Sequence, residues 1–119
     1  MKVIIAGSRH LKCKDLIFKK LDEMKDMIDE VVCGEAIGAD SIGKEWAIKN
    51  KIKVKSFPAE WDKYGRVAGP IRNMDMGDYA DYLIAFWDGS STGTKHMFTY
   101  MQQIGKHGEV VLIKHGKDN

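Results

Sequence analysis

The run Asp88-Gly89-Ser90-Ser91-Thr92-Gly93-Thr94 follows directly on the apolar stretch Tyr82-Leu83-Ile84-Ala85-Phe86-Trp87, a succession suited to holding phosphate. Glycines let the backbone approach an anion, hydroxyls donate to it, and a helix beginning after such a turn adds free N–H groups and a favourable dipole. The same grammar occurs at Gly7-Ser8-Arg9, behind an apolar run, and at Gly34-Glu35-Ala36-Ile37-Gly38-Ala39-Asp40, behind another. Three such loops predict one pocket for a phosphorylated small molecule.

Each loop has its own chemistry. Gly7 permits a tight turn, Ser8 can donate to phosphate, and Arg9 offers a planar fork for phosphate or carboxylate, although Gly and Ser also suit any strand-to-helix turn. Gly34 and Gly38 bracket the second loop, and Ala39-Asp40 stand where a helix begins. Asp40 either caps that helix or accepts a ribose hydroxyl. An acid there repels an adjacent phosphate, so the loops divide sugar and phosphate between them. This is not a GxGxxG pattern, and it follows the second strand instead of the first, which disfavours an ordinary dinucleotide dehydrogenase.

Between these loops and the last lies a connection, residues 58–73, with two aromatics and two arginines. Trp61 and Tyr64 either stack on a base or pack the segment onto the domain. Arg72 and Asn73 stand just beyond the Gly69-Pro70 turn and can reach into the pocket. In the last loop Asp88, Gly89, Ser90, Ser91, Gly93 and Thr94 form the cradle. Lys95 and His96 sit in the first helical turn, an unfavourable place for cations unless an anion is bound.

The elements that must position these residues follow from apolar periodicity. Short runs at 3–6, 31–33, 54–57, 82–87 and 110–113 read as strands buried on both faces. Helices are expected over 14–29, where Ile17, Leu21, Met24 and Ile28 form a stripe, from 39 or 40 to about 50, over 70–79, and from about 94 to 104. Pro70 is expected at the start of its helix, and Gly105 and Gly108 past the end of the last. Alternating strands and helices predict an α/β fold: a single Rossmann-like domain over residues 1–119, with a mainly parallel five-stranded sheet and helices on both faces. The expected strand order is 3-2-1-4-5, with ligands at the carboxyl ends of the strands near the switch point.

Composition excludes several classes. Of 119 residues 44% are hydrophobic, enough for a core, and a net charge of +2 is too small for a nucleic-acid coat or an electrostatic membrane anchor. Cys13 and Cys33 build no disulfide framework, and no Cys/His cluster has metal-ligand spacing, so neither metal nor cofactor is implied. No apolar run approaches the roughly 20 residues that span a bilayer, and no signal peptide is evident, so the expected location is cytoplasmic.

The ordered set Gly7-Ser8-Arg9, Gly34-x3-Gly38-Ala39-Asp40, Pro58-Ala59-Glu60-Trp61, Arg72-Asn73-x2-Met76, Ala80-Asp81-x-Leu83-Ile84-Ala85-Phe86-Trp87-Asp88-Gly89 and Ser91-x-Gly93-Thr94 resembles the YspA-like members of the SLOG superfamily. That superfamily includes the Lonely Guy phosphoribohydrolases, YpsA and the DNA-processing protein DprA. The resemblance implies a Rossmann-like domain that recognises nucleotides or nucleotide-derived ligands such as an ADP-ribose-like molecule. It also raises homo-oligomers, with Tyr100 and Trp87 as candidates for the contact surface.

Lonely Guy enzymes cleave the N-glycosidic bond of a nucleoside monophosphate with an arginine and a glutamate in Pro-Gly-Gly-x-Gly-Thr-x2-Glu. Arg72 matches that arginine, but the glutamate position is Met97, which manages no proton and stabilises no oxocarbenium charge. Asp88, placed differently, is a candidate for the missing carboxylate, and Asp40 and Glu60 are the other acids that could serve as acid/base. Binding is therefore the preferred function, with Arg72 and Asp88 as the catalytic residues of a Lonely Guy-like hydrolase the alternative. Single-stranded nucleic-acid binding, by analogy with DprA, is disfavoured by the near-neutral charge.

Overall fold

The computed structural model describes residues 1–8, 13–34 and 39–113. Five parallel strands, β1 (Lys2–Gly7), β2 (Glu30–Cys33), β3 (Lys53–Ser56), β4 (Tyr82–Trp87) and β5 (His107–Leu112), form one sheet in the order β3-β2-β1-β4-β5. Val3 stands beside Val31 of β2 on one side and Tyr82 of β4 on the other, so the chain reverses its direction of winding at β1. Among the described residues, five α-helices accompany the sheet: α1 (Lys14–Glu23), α2 (Ala39–Lys49), the short α3 (Trp61–Tyr64), α4 (Ala68–Tyr79) and α5 (Thr92–Gln103).

Strand β1 shows why the sheet needs cover on both faces. Its interior residues alternate between two apolar layers. Val3 and Ile5 join Ile17 and Leu21 of α1 and Trp46 and Ala47 of α2. Ile4 and Ala6 join Met76 of α4 and Met97 and Met101 of α5. Within α5 the buried residues Thr94, Met97 and Met101 recur every three or four positions, the spacing of one helix face.

Several boundaries differ from the sequence reading. The helix expected over 14–29 stops at Glu23 and gives way to a 3₁₀ turn, Lys25–Met27. Asp29 donates its N–H to the Met1 carbonyl at 2.9 Å, and this anchor turns the chain toward β2 while Ile28 swings into the core. The third strand is Lys53–Ser56, one residue earlier than expected. The connection after it is not irregular throughout, since α3 and a 3₁₀ turn, Gly65–Val67, occupy it.

Helix α4 begins at Ala68, which puts Pro70 at its third residue instead of its first; the missing N–H is harmless there because the first turn has no intrahelical acceptors. Helix α5 starts at Thr92, earlier than expected, because Ser91 caps it: Ser91 Oγ accepts the Thr94 N–H at 3.4 Å. The last strand starts at His107, three residues before the expected 110. Gly108 is therefore a strand residue and not a helix stop; a Cβ there would lie 3.0 Å from Leu83 of β4.

Candidate functional site

A parallel sheet of this order opens a crevice at the carboxyl ends of β1 and β4, where consecutive crossovers leave on opposite faces. The described parts of the sequence-predicted loops meet at this edge. Gly7 ends β1, and a Cβ on it would lie 2.5 Å from both the Ala39 Cβ and the Phe86 carbonyl, so only glycine lets the ends of β1 and β4 and the start of α2 approach this closely. Ser8, buried at the next position, donates its N–H to the Phe86 carbonyl at 3.0 Å. Its hydroxyl accepts the Asp88 N–H at 3.1 Å, joining the first loop to the last.

Asp40 is buried in the first turn of α2, and its Oδ2 accepts the Gly34 N–H at 3.2 Å. The carboxylate thus ties together the two ends of the second loop. Arg9 and Gly38 lie outside the described residues.

Arg72 reaches the same edge from α4. Its Nη1 donates to the Gly34 carbonyl and its Nε to Asn73 Oδ1 at 3.1 Å. Because Nε can only donate, the orientation of the Asn73 amide is fixed, with its NH₂ group turned to α5. That group reaches the Gly93 carbonyl at 3.3 Å and His96 Nδ1 at 3.1 Å. With Nδ1 accepting, the neutral His96 ring carries its proton on Nε2. Asn73 is buried, and with Arg72 it links the end of β2, α4 and the first turn of α5. The sequence singles out Arg72 and Asn73, and marks His96 only as a first-turn cation; its contact with Asn73 is not legible there.

The last loop is organised around Asp88. Its Oδ1 accepts the N–H groups of Ser90 and Ser91, each at 2.9 Å, and the Ser90 hydroxyl at 3.3 Å. These backbone bonds, with help from Ser8 and Ser90, hold the Asp88 carboxyl well below its ordinary range, at about 2. Gly89 follows in the left-handed region at φ 88°, which favours glycine. Ser91 Oγ meets Thr94 Oγ1 at 3.1 Å as well as the Thr94 N–H, so Ser91 and Thr94 serve the helix start. Among the described residues no acceptor meets the N–H of Thr92 or Gly93.

Trp61 is not drawn into this network. It is 59% exposed on α3, with its ring end over Gly69, beside a shallow depression of about 310 Å³ lined by Ala59 to Lys63. Trp87 and Tyr100, the candidates for a contact surface, are each half-buried and have partners within the domain. Trp87 Nε1 donates to the Ser91 carbonyl at 2.9 Å and its ring packs edge-on against Phe98; Tyr100 lies against Gly77 and donates to Asp78 at 2.6 Å. No metal-competent cluster of His, Cys, Asp and Glu occurs among the described residues, and no described helix is long and apolar enough to cross a membrane.

Comparison with known proteins agrees with this architecture. The model of the YspA, cpYpsA-related SLOG family matches residues 1–64, which contain the first two loops. The Gene 61 protein of Mycobacterium phage D29 is 32% identical over 116 residues, covering 87% of this chain and 90% of its own length. The solved structure of DNA processing protein A (DprA) from Streptococcus pneumoniae superposes with a TM-score of 0.61 at 15% identity. That alignment covers 92% of this chain but 58% of the DprA chain, and the likeness is one of fold.

Proposed function

This chain belongs to the YspA, cpYpsA-related SLOG family, and from that premise we propose that the carboxyl edge of its sheet binds a nucleotide or a nucleotide-derived ligand. The observation that carries this reading is Arg72. Its guanidinium is half-buried at the crevice and is oriented by a backbone carbonyl and an amide oxygen. Among the described residues no carboxylate pairs with it. A guanidinium placed this way, with no bond to Nη2 among the described residues, suits a phosphate or carboxylate of a ligand.

The same geometry favours binding over Lonely Guy-type hydrolysis. Met97 stands where that reaction requires a glutamate, and its side chain is buried in the apolar layer beneath α5. Of the carboxylates at this edge, Asp40 is buried and holds the Gly34 N–H, and Asp88, with a pKa of about 2, is a weak base and stays ionised at neutral pH, unsuited to general-acid work.

A thermal-shift and native mass-spectrometry screen against nucleosides, nucleotides, cyclic nucleotides and ADP-ribose tests the proposal. At least one phosphorylated compound is expected to bind, and Arg72→Gln is expected to weaken it by about tenfold or more, as loss of a charge-assisted pair does. Release of free base and ribose 5-phosphate at an enzymatic rate would replace binding with hydrolysis. Absence of any bound compound would remove the nucleotide reading.

A further inference from the structure

Resting on that reading, we infer that Asp88 is a specificity-determining residue that bars phosphate from the turn before α5 and leaves Arg72 as the anion pole of the site. The turn should therefore face an uncharged part of the ligand, such as a ribose hydroxyl.

A glycine- and serine-rich turn before a helix attracts phosphate because its N–H groups lack partners. Here the N–H groups of Ser90 and Ser91 already converge on Asp88 Oδ1, each at 2.9 Å, and the Ser90 hydroxyl joins them at 3.3 Å. The protein has supplied its own anion. Ser91 Oγ accepts the Thr94 N–H, which takes that donor too out of play.

Among the described residues, the backbone donors left in the first turn of α5 are the N–H groups of Thr92 and Gly93, directly after the segment that wraps Asp88. A phosphate there would stand within a few ångströms of a fixed negative charge. The carboxylate keeps that charge through the physiological range, because the surrounding donors hold its pKa at about 2. Arg72 has the opposite character: it is bound by neutral oxygens of Gly34 and Asn73, which orient it without neutralising it. A ligand with one anionic and one neutral end is thereby oriented, anion to Arg72 and neutral hydroxyls to the turn.

The test compares each of the four nucleosides with its 5′-monophosphate by titration calorimetry. Four proteins are used: wild type, Asp88→Asn, Arg72→Gln and the double variant. Asn keeps an oxygen to accept the Ser90 and Ser91 N–H groups while removing the charge; Asp88→Ser, whose hydroxyl can also hold such a turn, is the second variant should the amide disturb it. Wild type is expected to prefer the monophosphate, and Arg72→Gln to lose that preference. Removing the Asp88 charge should raise the preference about tenfold in either background, restoring it in the double variant. A preference unchanged by both Asp88 substitutions, while binding itself persists, would overturn this inference and leave the binding proposal standing. Failure of every nucleoside and nucleotide to bind wild type would overturn both.

Discussion

At the level of single residues the candidate site is held by close approaches to glycine, and two glycines separate ligand binding from stability. A Cβ on Gly34 would lie 2.6 Å from Arg72 Nη1 and 2.9 Å from Cζ, but these atoms are the end of a long, rotatable side chain. Gly34→Ala should therefore push the guanidinium out of place, lose ligand affinity about as much as Arg72→Gln does, and change unfolding free energy by less than about 1 kcal/mol. A Cβ on Gly7 would meet the Phe86 carbonyl, which is strand backbone and cannot yield cheaply. Gly7→Ala should cost about 1–3 kcal/mol in urea unfolding. If Gly34→Ala destabilises as much as Gly7→Ala, the Arg72 contact is not the flexible one described. Glycines at both positions were visible in the sequence as turn formers, but which atoms they make room for was not, since Arg72 lies 38 positions from Gly34. Asp88 shows the reverse case: composition presents its loop as a cradle of donors but does not say that the carboxylate in the same loop holds two of them.

Among elements, strands were legible to within a residue or so wherever an apolar run is bounded by polar residues, as in β4, predicted and found at 82–87. Boundaries failed where a tertiary contact decides them. The amphipathic stripe of the first helix continues through Ile28, yet the helix ends at Glu23 because Asp29 is bonded to Met1. Strand β5 begins early for a related reason. Lys106, the residue before it, is fixed by its ammonium, which donates to the carbonyls of Gly77, Asp78 and Ala80 at 2.8, 2.9 and 2.7 Å. These are terminal carbonyls of α4 and its exit, otherwise short of partners, and a cation there also opposes the negative end of the helix dipole. Lys106→Met, which keeps the aliphatic stem, is expected to lower stability by about 1–2 kcal/mol with an unchanged denaturant slope. A change within about 0.3 kcal/mol would mean that water satisfies those carbonyls equally well. Because α4 carries Arg72 and Asn73, the same cap helps to set the angle at which they enter the crevice.

Across the whole molecule the strand order was legible because few topologies satisfy short parallel strands, alternating helices and right-handed crossovers at once. The two sheet edges differ in protection. On the β3 side Lys51, Lys53 and Lys55 are exposed and discourage pairing with another chain, whereas on β5 Val110 and Leu112 are exposed. The two apolar layers share one sheet, so their stabilities cannot be independent. Ile4 and Ile5 test this, being consecutive, completely buried and pointed to opposite layers. Either Ile→Ala change should cost about 2–5 kcal/mol through lost transfer energy and the cavity left behind. The informative variant is Ile4→Ala, which damages the α4–α5 layer while the indole of Trp46, bonded to Asp22 at 2.8 Å, reports on the α1–α2 layer. In urea the native Trp46 indole NMR signal and the far-UV circular dichroism of Ile4→Ala should disappear at the same shifted midpoint. Survival of the Trp46 signal beyond loss of the bulk helical signal would show that the α1–α2 layer folds without its neighbour. The crevice would then lie between two separately stable units, with Arg72 and Asn73 on one and Ala39 and Asp40 on the other.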